Sequence, residues 1–168
     1  MRRHSILAYL CVGSAALVLC GAARPLSAQS SDADRAAVLS VVQRLFTAMA
    51  QRDTTAARAL LMPGSRFVAI FGDGTGSTPR VQADTTFLRN LATGTDRLLE
   101  RMWEPVVQLR GPLATVWAPY DFYVNGQRTH CGVDTFTLLR GGMVWRLSDI
   151  SYTVERTGCA DSPLGPPK

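Results

Sequence analysis

The chain has 168 residues, of which 46% are hydrophobic, and a formal net charge of +5 at pH 7. This length and composition are typical of one globular domain, and a second domain is not expected. The arginines are scattered singly instead of massed in a run, which argues against a nucleic-acid-binding protein.

The first 28 residues have the layout of a secretory signal peptide. Basic residues at positions 2 and 3 precede a mostly apolar run from Ile6 to Ala23, and a small-residue stretch follows. We predict cleavage after Ala28; a membrane anchor or a lipid-modified Cys20 are the alternatives. Removal of the leader lowers the formal charge from +5 to +2, because three arginines leave with it. The mature protein is therefore expected in the periplasm or outside the cell, without stable membrane insertion.

Two of the four cysteines lie in this leader, which leaves Cys131 and Cys159 in the mature chain. An even pair in an oxidising compartment favours one disulfide, although two separate thiols are the alternative. No CxxC motif is present, and His130 is the single histidine after the leader. Such a set does not specify metal ligands, so we expect neither a metal nor another cofactor.

The mature chain opens with helical patterns. Apolar residues spaced by three and four predict a long helix over 32–53, and a shorter helical segment follows at 54–62. A β-branched and aromatic run at 66–71 predicts a strand that ends in a glycine-rich turn. A third helix is predicted to begin at Asp84, whose side chain suits a helix N-terminus.

From Arg97 onward the pattern changes to strands separated by Gly-Pro, Asn-Gly and Gly-Gly turns. The four predicted strands are Leu98–Leu109, Ala114–Val124, Gln127–Arg140 and Met143–Glu155. Helices followed by an antiparallel meander predict an α+β domain over 32–159, in which a cone-shaped, strongly curved antiparallel sheet packs on about three N-terminal helices. Residues 160–168 are rich in glycine and proline and are expected to form a loose tail. The open end of such a cone is a natural pocket for a small molecule.

The first tight turn sets a predicted strand register. Asn125-Gly126 favours a two-residue type I′ hairpin, because both positions need a positive φ. This turn places Asp121 opposite His130, and Trp117 opposite Asp134. The histidine and both aspartates would then lie on one face of the sheet.

A second turn predicted at Gly141-Gly142 places Asp134 opposite Asp149. The face with most of the polar groups is predicted to line the pocket, and it carries Trp117, Asp121, Tyr123, His130, Asp134, Phe136, Leu138, Trp145, Leu147 and Asp149. The opposite face is almost free of charge and is a candidate dimer interface, and it carries Val116, Ala118, Tyr120, Phe122, Val133, Leu139, Val144, Ile150 and Tyr152.

These elements resemble a known superfamily. The order helix, helix, strand, helix and antiparallel meander resembles the nuclear transport factor 2-like (SnoaL-like) fold. The sequence "HCGVD" and the strand with "WRL" are similar to the secreted bacterial branch described as candidate lumazine-binding proteins, over about Asp34 to Cys159. The resemblance implies a cone, frequent homodimerisation through the sheet, and a pocket that only some members use for catalysis. No catalytic motif of the isomerases, dehydratases or cyclases of this fold matches the chain.

Two side-chain pairs are candidates for acid-base chemistry. A carboxylate at Asp121 would orient His130 as a general base; the alternative is an exposed cross-strand charge pair. Two carboxyl groups facing each other at Asp134 and Asp149 would share a proton; the alternative is neutralisation by an arginine. These four residues are therefore the candidate catalytic residues.

The predicted ligand-pocket residues are Trp117, Tyr123, Phe136 and Trp145, and core packing is the alternative for the tryptophans. We expect the domain to bind an unidentified hydrophobic small molecule without turning it over. The alternatives are a cofactor-independent isomerase, dehydratase or cyclase that uses the acid-base residues, and a structural dimerisation or adaptor domain.

Overall fold

The computed structural model describes residues 26–72 and 79–167 of the chain. Residues 1–25, which form most of the predicted leader, lie outside this part, and cleavage after Ala28 stays a prediction. The elements are α1 (Leu26–Gln51), α2 (Thr54–Leu60), β1 (Leu61–Phe71), β2 (Arg80–Ala83), α3 (Asp84–Thr93), β3 (Leu98–Met102), β4 (Val106–Arg110), β5 (Leu113–Val124), β6 (Gln127–Gly141) and β7 (Val144–Val154). Within the described ranges, none of the helices has the length and apolar character needed to cross a bilayer.

The strands form a single sheet in the order β2-β1-β7-β6-β5-β3, and β4 also pairs with β5. Only β1 and β7 run parallel; the other neighbours are antiparallel. The three helices pack on the concave side of this curved sheet, so the predicted α+β architecture is confirmed.

The core lies between α1 and the concave face of the sheet. The helical spacing of Val38, Val42, Leu45 and Phe46 places all four side chains on the buried face of α1. Phe46 packs edge-on against Phe136 of β6, with ring centroids 5.9 Å apart. This contact joins the longest helix to the middle of the sheet.

Several elements differ from the sequence prediction in their bounds. The predicted strand Leu98–Leu109 is divided into β3 and β4, because Glu104 has a φ of +47° and Pro105 has no N–H to donate to the ladder. The short edge strand β2 was not predicted. Strand β1 begins at Leu61, five residues earlier than predicted. Within this added part, the Gly64 N–H donates a hydrogen bond of 3.1 Å to the Asp84 carboxylate at the start of α3.

The first hairpin has the predicted turn but a different register beyond it. Asn125 and Gly126 both have positive φ, and Val124 pairs with Gln127 as expected. A bulge at Thr129 then shifts the ladder by one residue, so His130 lies opposite Phe122 instead of Asp121. Because side chains alternate, this single extra residue reverses the faces of β5 relative to β6.

The second hairpin also departs from its predicted register. Gly141 pairs with Val144, so the turn residues are Gly142 and Met143 instead of Gly141 and Gly142. A further irregularity near Ser148 places Asp149 opposite Thr137. The predicted pairing of Asp134 with Asp149 is therefore wrong, and Asp134 lies opposite Tyr152.

The disulfide between Cys131 and Cys159 is confirmed, with Cα atoms 5.8 Å apart. It lies on the convex side of the sheet and closes a sequence separation of 28 residues. The tail beyond it was expected to be loose, and its described residues, 160–167, place no buried side chain in the core. Its backbone is nevertheless bound to the sheet: Arg128 donates to the Ala160 carbonyl, and Arg101 donates to the Gly165 carbonyl.

Gly132 allows β6 to lie close to β7. A side chain at this position would place its Cβ against the Thr153 carbonyl oxygen and 2.5 Å from the Thr153 Oγ1. The same carbonyl accepts a hydrogen bond of 2.7 Å from the Tyr120 hydroxyl, so the close approach also fixes a tyrosine on the concave face.

Substitution Gly132→Ala is expected to lower the free energy of unfolding by about 1–3 kcal/mol, because the added methyl group has no space beside the Thr153 backbone. Urea denaturation at neutral pH measures this loss. The matched control is Gly141→Ala in the same strand, where no atom lies within 4 Å of the added Cβ. Equal stability of the two variants would contradict the tight packing at Gly132.

Candidate functional site

A cavity of about 480 Å³ lies between the C-terminal half of α1, helix α3 and the concave face of the sheet. Eight phenylalanine and tyrosine rings contribute to its wall: Phe46, Phe67, Phe71, Phe87, Tyr120, Phe122, Phe136 and Tyr152. The cavity has the size and the apolar character of a small-molecule site.

The carboxyl groups of Glu100 and Asp134 meet within this apolar surrounding and share a side-chain hydrogen bond. Glu100 comes from β3 and lines the cavity, whereas Asp134 comes from the middle of β6 and is only 1% exposed. The Asp134 Oδ2 atom has no hydrogen-bond partner. One oxygen of this pair therefore lacks a hydrogen-bond partner within the described protein, and it lies next to Glu100 of the cavity wall.

Burial raises the pKa of both carboxyl groups. The pKa of Glu100 rises from 4.5 to about 7, because desolvation outweighs the hydrogen bond from Asp134. The pKa of Asp134 rises well above its ordinary value through burial first and then through the neighbouring Glu100 charge. At neutral pH the pair therefore retains at least one proton, which Asp134 donates to Glu100.

Two tyrosines flank this pair. The Tyr120 hydroxyl donates to the Thr153 carbonyl, and the Tyr152 ring lies edge-on to the Tyr120 ring with centroids 6.4 Å apart. Burial, then the nearby Asp134 and Glu100 charges, raise the pKa of Tyr120, and the same causes raise the pKa of Tyr152. Both hydroxyl groups thus stay protonated at physiological pH.

His130 lies on the cavity wall, stacked on Phe122 with ring centroids 4.9 Å apart. Its Nδ1 lies 2.9 Å from the Thr129 Oγ1. Burial and the positive charge of Arg156 lower the pKa of His130 below its usual value, so the imidazole is neutral at pH 7. A neutral imidazole at the wall can exchange a proton but supplies no positive charge.

Asp121 does not accompany His130, and the predicted pair is wrong because the bulge at Thr129 separates the two side chains onto opposite faces. On the convex side Asp121 is 1% exposed, and Arg101 binds it through two hydrogen bonds of 2.9 and 2.5 Å. The Tyr123 hydroxyl donates to the same carboxylate at 3.3 Å. This network supports the convex face and does not reach the cavity.

Asp149 also lies on the convex face, where it accepts a 3.0 Å hydrogen bond from Arg66. Of the four predicted pocket residues, only Phe136 lines the cavity. Trp117 is 46% exposed on the convex side, Tyr123 belongs to the Asp121 network, and Trp145 is buried in the core. The structure thus brings His130, Asp134 and Phe136 together on the concave face and separates the others from them.

Glu100 was not among the candidate residues. Side chains alternate along a strand, so Glu100 lies on the same face of β3 as Leu98 and Met102. An acidic residue on this otherwise apolar face was the feature of the sequence that could have identified it. In the described part of the chain, no group of three His, Cys, Asp or Glu residues is placed to hold a metal ion.

The rim of the cavity has one well-fixed cation. Arg52, just after α1, donates to the Asp96 carbonyl through Nε and Nη2, and to the Leu91 carbonyl through Nη1. Its guanidinium occupies the space beside Gly94, where a Cβ would clash. This arginine holds the loop after α3 and leaves the acidic pair without a partner.

Neither a protein-family model nor a curated protein matches this chain. Solved structures do superpose on it. A nuclear transport factor 2-like protein with a cystatin-like fold from Novosphingobium aromaticivorans has a TM-score of 0.62 and 14% identity, over 80% of this chain and 89% of that chain. The beta subunit of a proposed aromatic-ring-hydroxylating dioxygenase from the same organism has a TM-score of 0.64 and 10% identity, over 83% and 99% of the two chains.

A proposed dehydratase of the nuclear transport factor 2-like family from Streptomyces avermitilis has a TM-score of 0.58 and 17% identity, over 74% of this chain and 97% of that chain. At these identities the likeness establishes the fold, and the chain has the nuclear transport factor 2-like fold. The finer resemblance to candidate lumazine-binding proteins gains no support from these structures.

Substitution Glu100→Gln is expected to change how stability depends on pH. In the unfolded chain Glu100 loses its proton near pH 4.5, whereas in the folded chain it retains the proton to about pH 7. The folded state binds more protons in this window, so this group lowers wild-type stability as the pH rises. The variant should gain up to about 3 kcal/mol relative to the wild type between about pH 5 and pH 7, measured by urea denaturation.

The control Glu104→Gln removes an exposed carboxylate outside the cavity and should not reproduce this gain. A wild-type protein that became more stable than Glu100→Gln over the same pH range would show that Glu100 is not buried as a protonated acid.

Proposed function

We propose that this domain binds an apolar small molecule in the cavity between its helices and the concave sheet face. The observation that carries this proposal is the cavity itself, whose volume of about 480 Å³ is enclosed mostly by aromatic and aliphatic side chains. Ligand sites of drug-sized molecules occupy roughly 300–1,000 Å³ and have a similar apolar wall with few polar groups. Binding without turnover is sufficient to account for this geometry.

The few polar groups of the cavity give the ligand a preferred orientation. Glu100 places a carboxyl group on one side of the wall, with the buried Asp134 carboxyl behind it, and the neutral imidazole of His130 lies on the wall beside Phe122. An apolar body would contact the phenylalanine rings while its polar end reached the carboxyl pair.

We also propose that the mature protein works after export. The leader-like sequence at 1–28 and the disulfide between Cys131 and Cys159 support this, because disulfides persist in oxidising compartments. A homodimer through the sheet belongs to the same proposal. Its interface would have to be the convex face, since Tyr120 and Phe122 of the other face line the cavity.

Proton transfer by a cofactor-independent isomerase, dehydratase or cyclase is the second candidate function. The specific observation in its favour is that Glu100, with a pKa of about 7, contacts a protonated Asp134. A carboxyl pair in this state can accept a proton at one oxygen and donate one at another near neutral pH.

Native mass spectrometry of protein purified from its own host separates these two functions. Under the binding proposal, wild type and Asp134→Asn retain a co-purified compound of the same mass over hours. Under the catalytic alternative, the compound held by Asp134→Asn differs from that released by the wild type: by the mass of one water for a dehydratase, and in its fragmentation pattern at equal mass for an isomerase or a cyclase. A protein that carries no compound in either form argues against both.

Substitution Leu98→Trp is expected to fill part of the cavity and weaken binding of the neutral probe naphthylmethanol by at least about tenfold, because the larger ring occupies space that the ligand needs. Isothermal titration calorimetry measures the dissociation constant. The matched control Leu139→Trp enlarges a leucine on the convex face and should leave the affinity unchanged. Equal weakening by both substitutions would place the probe outside the cavity.

A further inference from the structure

We infer that the ligand of this cavity carries a positively charged amino group that binds between the carboxyl groups of Glu100 and Asp134. The inference rests on the proposed binding function and specifies the chemical class of its ligand. An organic ammonium ion on an apolar body would match the carboxyl pair at one end and the aromatic wall along the rest of its length.

The acidic pair has no counter-ion from the protein. Arginines form ion pairs with Asp34, Asp121 and Asp149. No arginine, lysine or histidine nitrogen of the described residues lies within ion-pair distance of Glu100 or Asp134. Buried carboxylates are usually paired or bound to a cation, so this pair is an exception that a cationic ligand would resolve.

The contrast with Asp121 is informative, because both aspartates are 1% exposed. Arg101 binds the Asp121 carboxylate in a bidentate manner, whereas the Asp134 Oδ2 has no hydrogen-bond partner at all. Asp134 is thus a buried polar group with one oxygen that lacks a hydrogen-bond partner. Its neighbour Glu100 lines the cavity. A ligand donor is the partner that this oxygen lacks.

The basic residues of the cavity lining are Arg52, His130 and Arg156, and none of them forms an ion pair with Glu100 or Asp134. Arg52 is held by the carbonyl groups of Asp96 and Leu91, and His130 is neutral at pH 7 because burial and Arg156 lower its pKa. Movement of either group to the pair would break these contacts. No basic side chain of the described protein therefore neutralises the pair, and a cationic ligand would be its first counter-ion.

The aromatic wall also favours a cation. Tyr120, Tyr152, Phe122 and Phe136 all line the cavity, and the face of an aromatic ring attracts a positive charge. The Tyr120 hydroxyl already donates to the Thr153 carbonyl, so its ring is fixed while its proton is not available to the carboxyl pair. Aromatic rings around a carboxyl pair would therefore stabilise a bound alkylammonium group.

Binding of an ammonium ion would release a proton. Without ligand the pair retains a proton; when an ammonium ion donates to both carboxylates, that proton leaves to water, and no covalent bond between heavy atoms changes. The charged and titratable groups that face the pair or the cavity are Arg52, Asp96, Tyr120, His130, Tyr152, Glu155 and Arg156. Of these, His130 has a lowered pKa and is already neutral at pH 7, so the pH dependence comes from the carboxyl pair. Affinity should therefore rise between about pH 6 and pH 8.

Three probes with one ring system test the inference: naphthylmethylamine, naphthylmethanol and naphthylacetate, titrated by calorimetry into the full-length mature protein. The amine should bind at least about tenfold more tightly than the alcohol at about pH 7.5, and the acid should bind least tightly. Titration in buffers of different ionisation enthalpy should show that the amine, but not the alcohol, releases a proton.

Variants Glu100→Gln and Asp134→Asn should each reduce the amine-to-alcohol affinity ratio toward one, because an amide removes one of the two charges. Glu104→Gln, outside the cavity, should keep the wild-type ratio. If the alcohol binds as tightly as the amine at every pH, this inference is overturned while the proposed binding function stands. If none of the three probes binds, the proposed function fails together with it.

Discussion

The site depends on one contact, in which the carboxyl groups of Glu100 and Asp134 meet inside an apolar cavity. Two such groups cannot both ionise there at low cost, since each charge would face the other in a medium that solvates neither well. The pair must hold a proton or bind a cation. This requirement determines the electrostatic character of the cavity and makes its polar end selective.

The sheet places the two carboxyl groups together through its irregularities instead of its regular pairing. The bulge at Thr129 turns His130 toward Phe122, and Gly132 lets β6 approach the Thr153 backbone so that Tyr120 can bind the same carbonyl. Bulges are common next to binding sites because they re-aim side chains without ending the strand. The disulfide and the Arg101-Asp121 pair stabilise the opposite face.

The sequence was sufficient for the architecture but not for the details of the site. Helical spacing, the Asn125-Gly126 turn and the cysteine pair predicted the helices, the first hairpin and the disulfide, because each depends on local chemistry or on a simple count. The register of β5 against β6 beyond Thr129 depends on this one unpaired residue, and no local sequence pattern predicts the bulge. That one residue moved Asp121 away from His130 and gave the convex face an aspartate expected in the pocket.

Glu100 shows why the rest could not be derived from the sequence. Its role arises from a contact over strand β5 with Asp134, 34 positions further along the chain, and this contact requires that β3 and β6 pair with opposite edges of β5. Asp134 is predicted from the sequence to share a proton with Asp149, whereas the structure places Glu100 beside it. The sequence was sufficient to select Asp134 as a candidate, but the fold was needed to identify Glu100 as its neighbour.

A carboxyl-carbon NMR titration of the mature protein, compared with Glu100→Gln for assignment, tests the central claim most directly. The account predicts that the Glu100 signal titrates near pH 7 and that the Asp134 carboxyl still holds its proton well above the ordinary aspartate pKa of 3.8. Titration of Glu100 near its ordinary value of 4.5 would show that the two carboxyl groups are solvated separately, and would contradict the account.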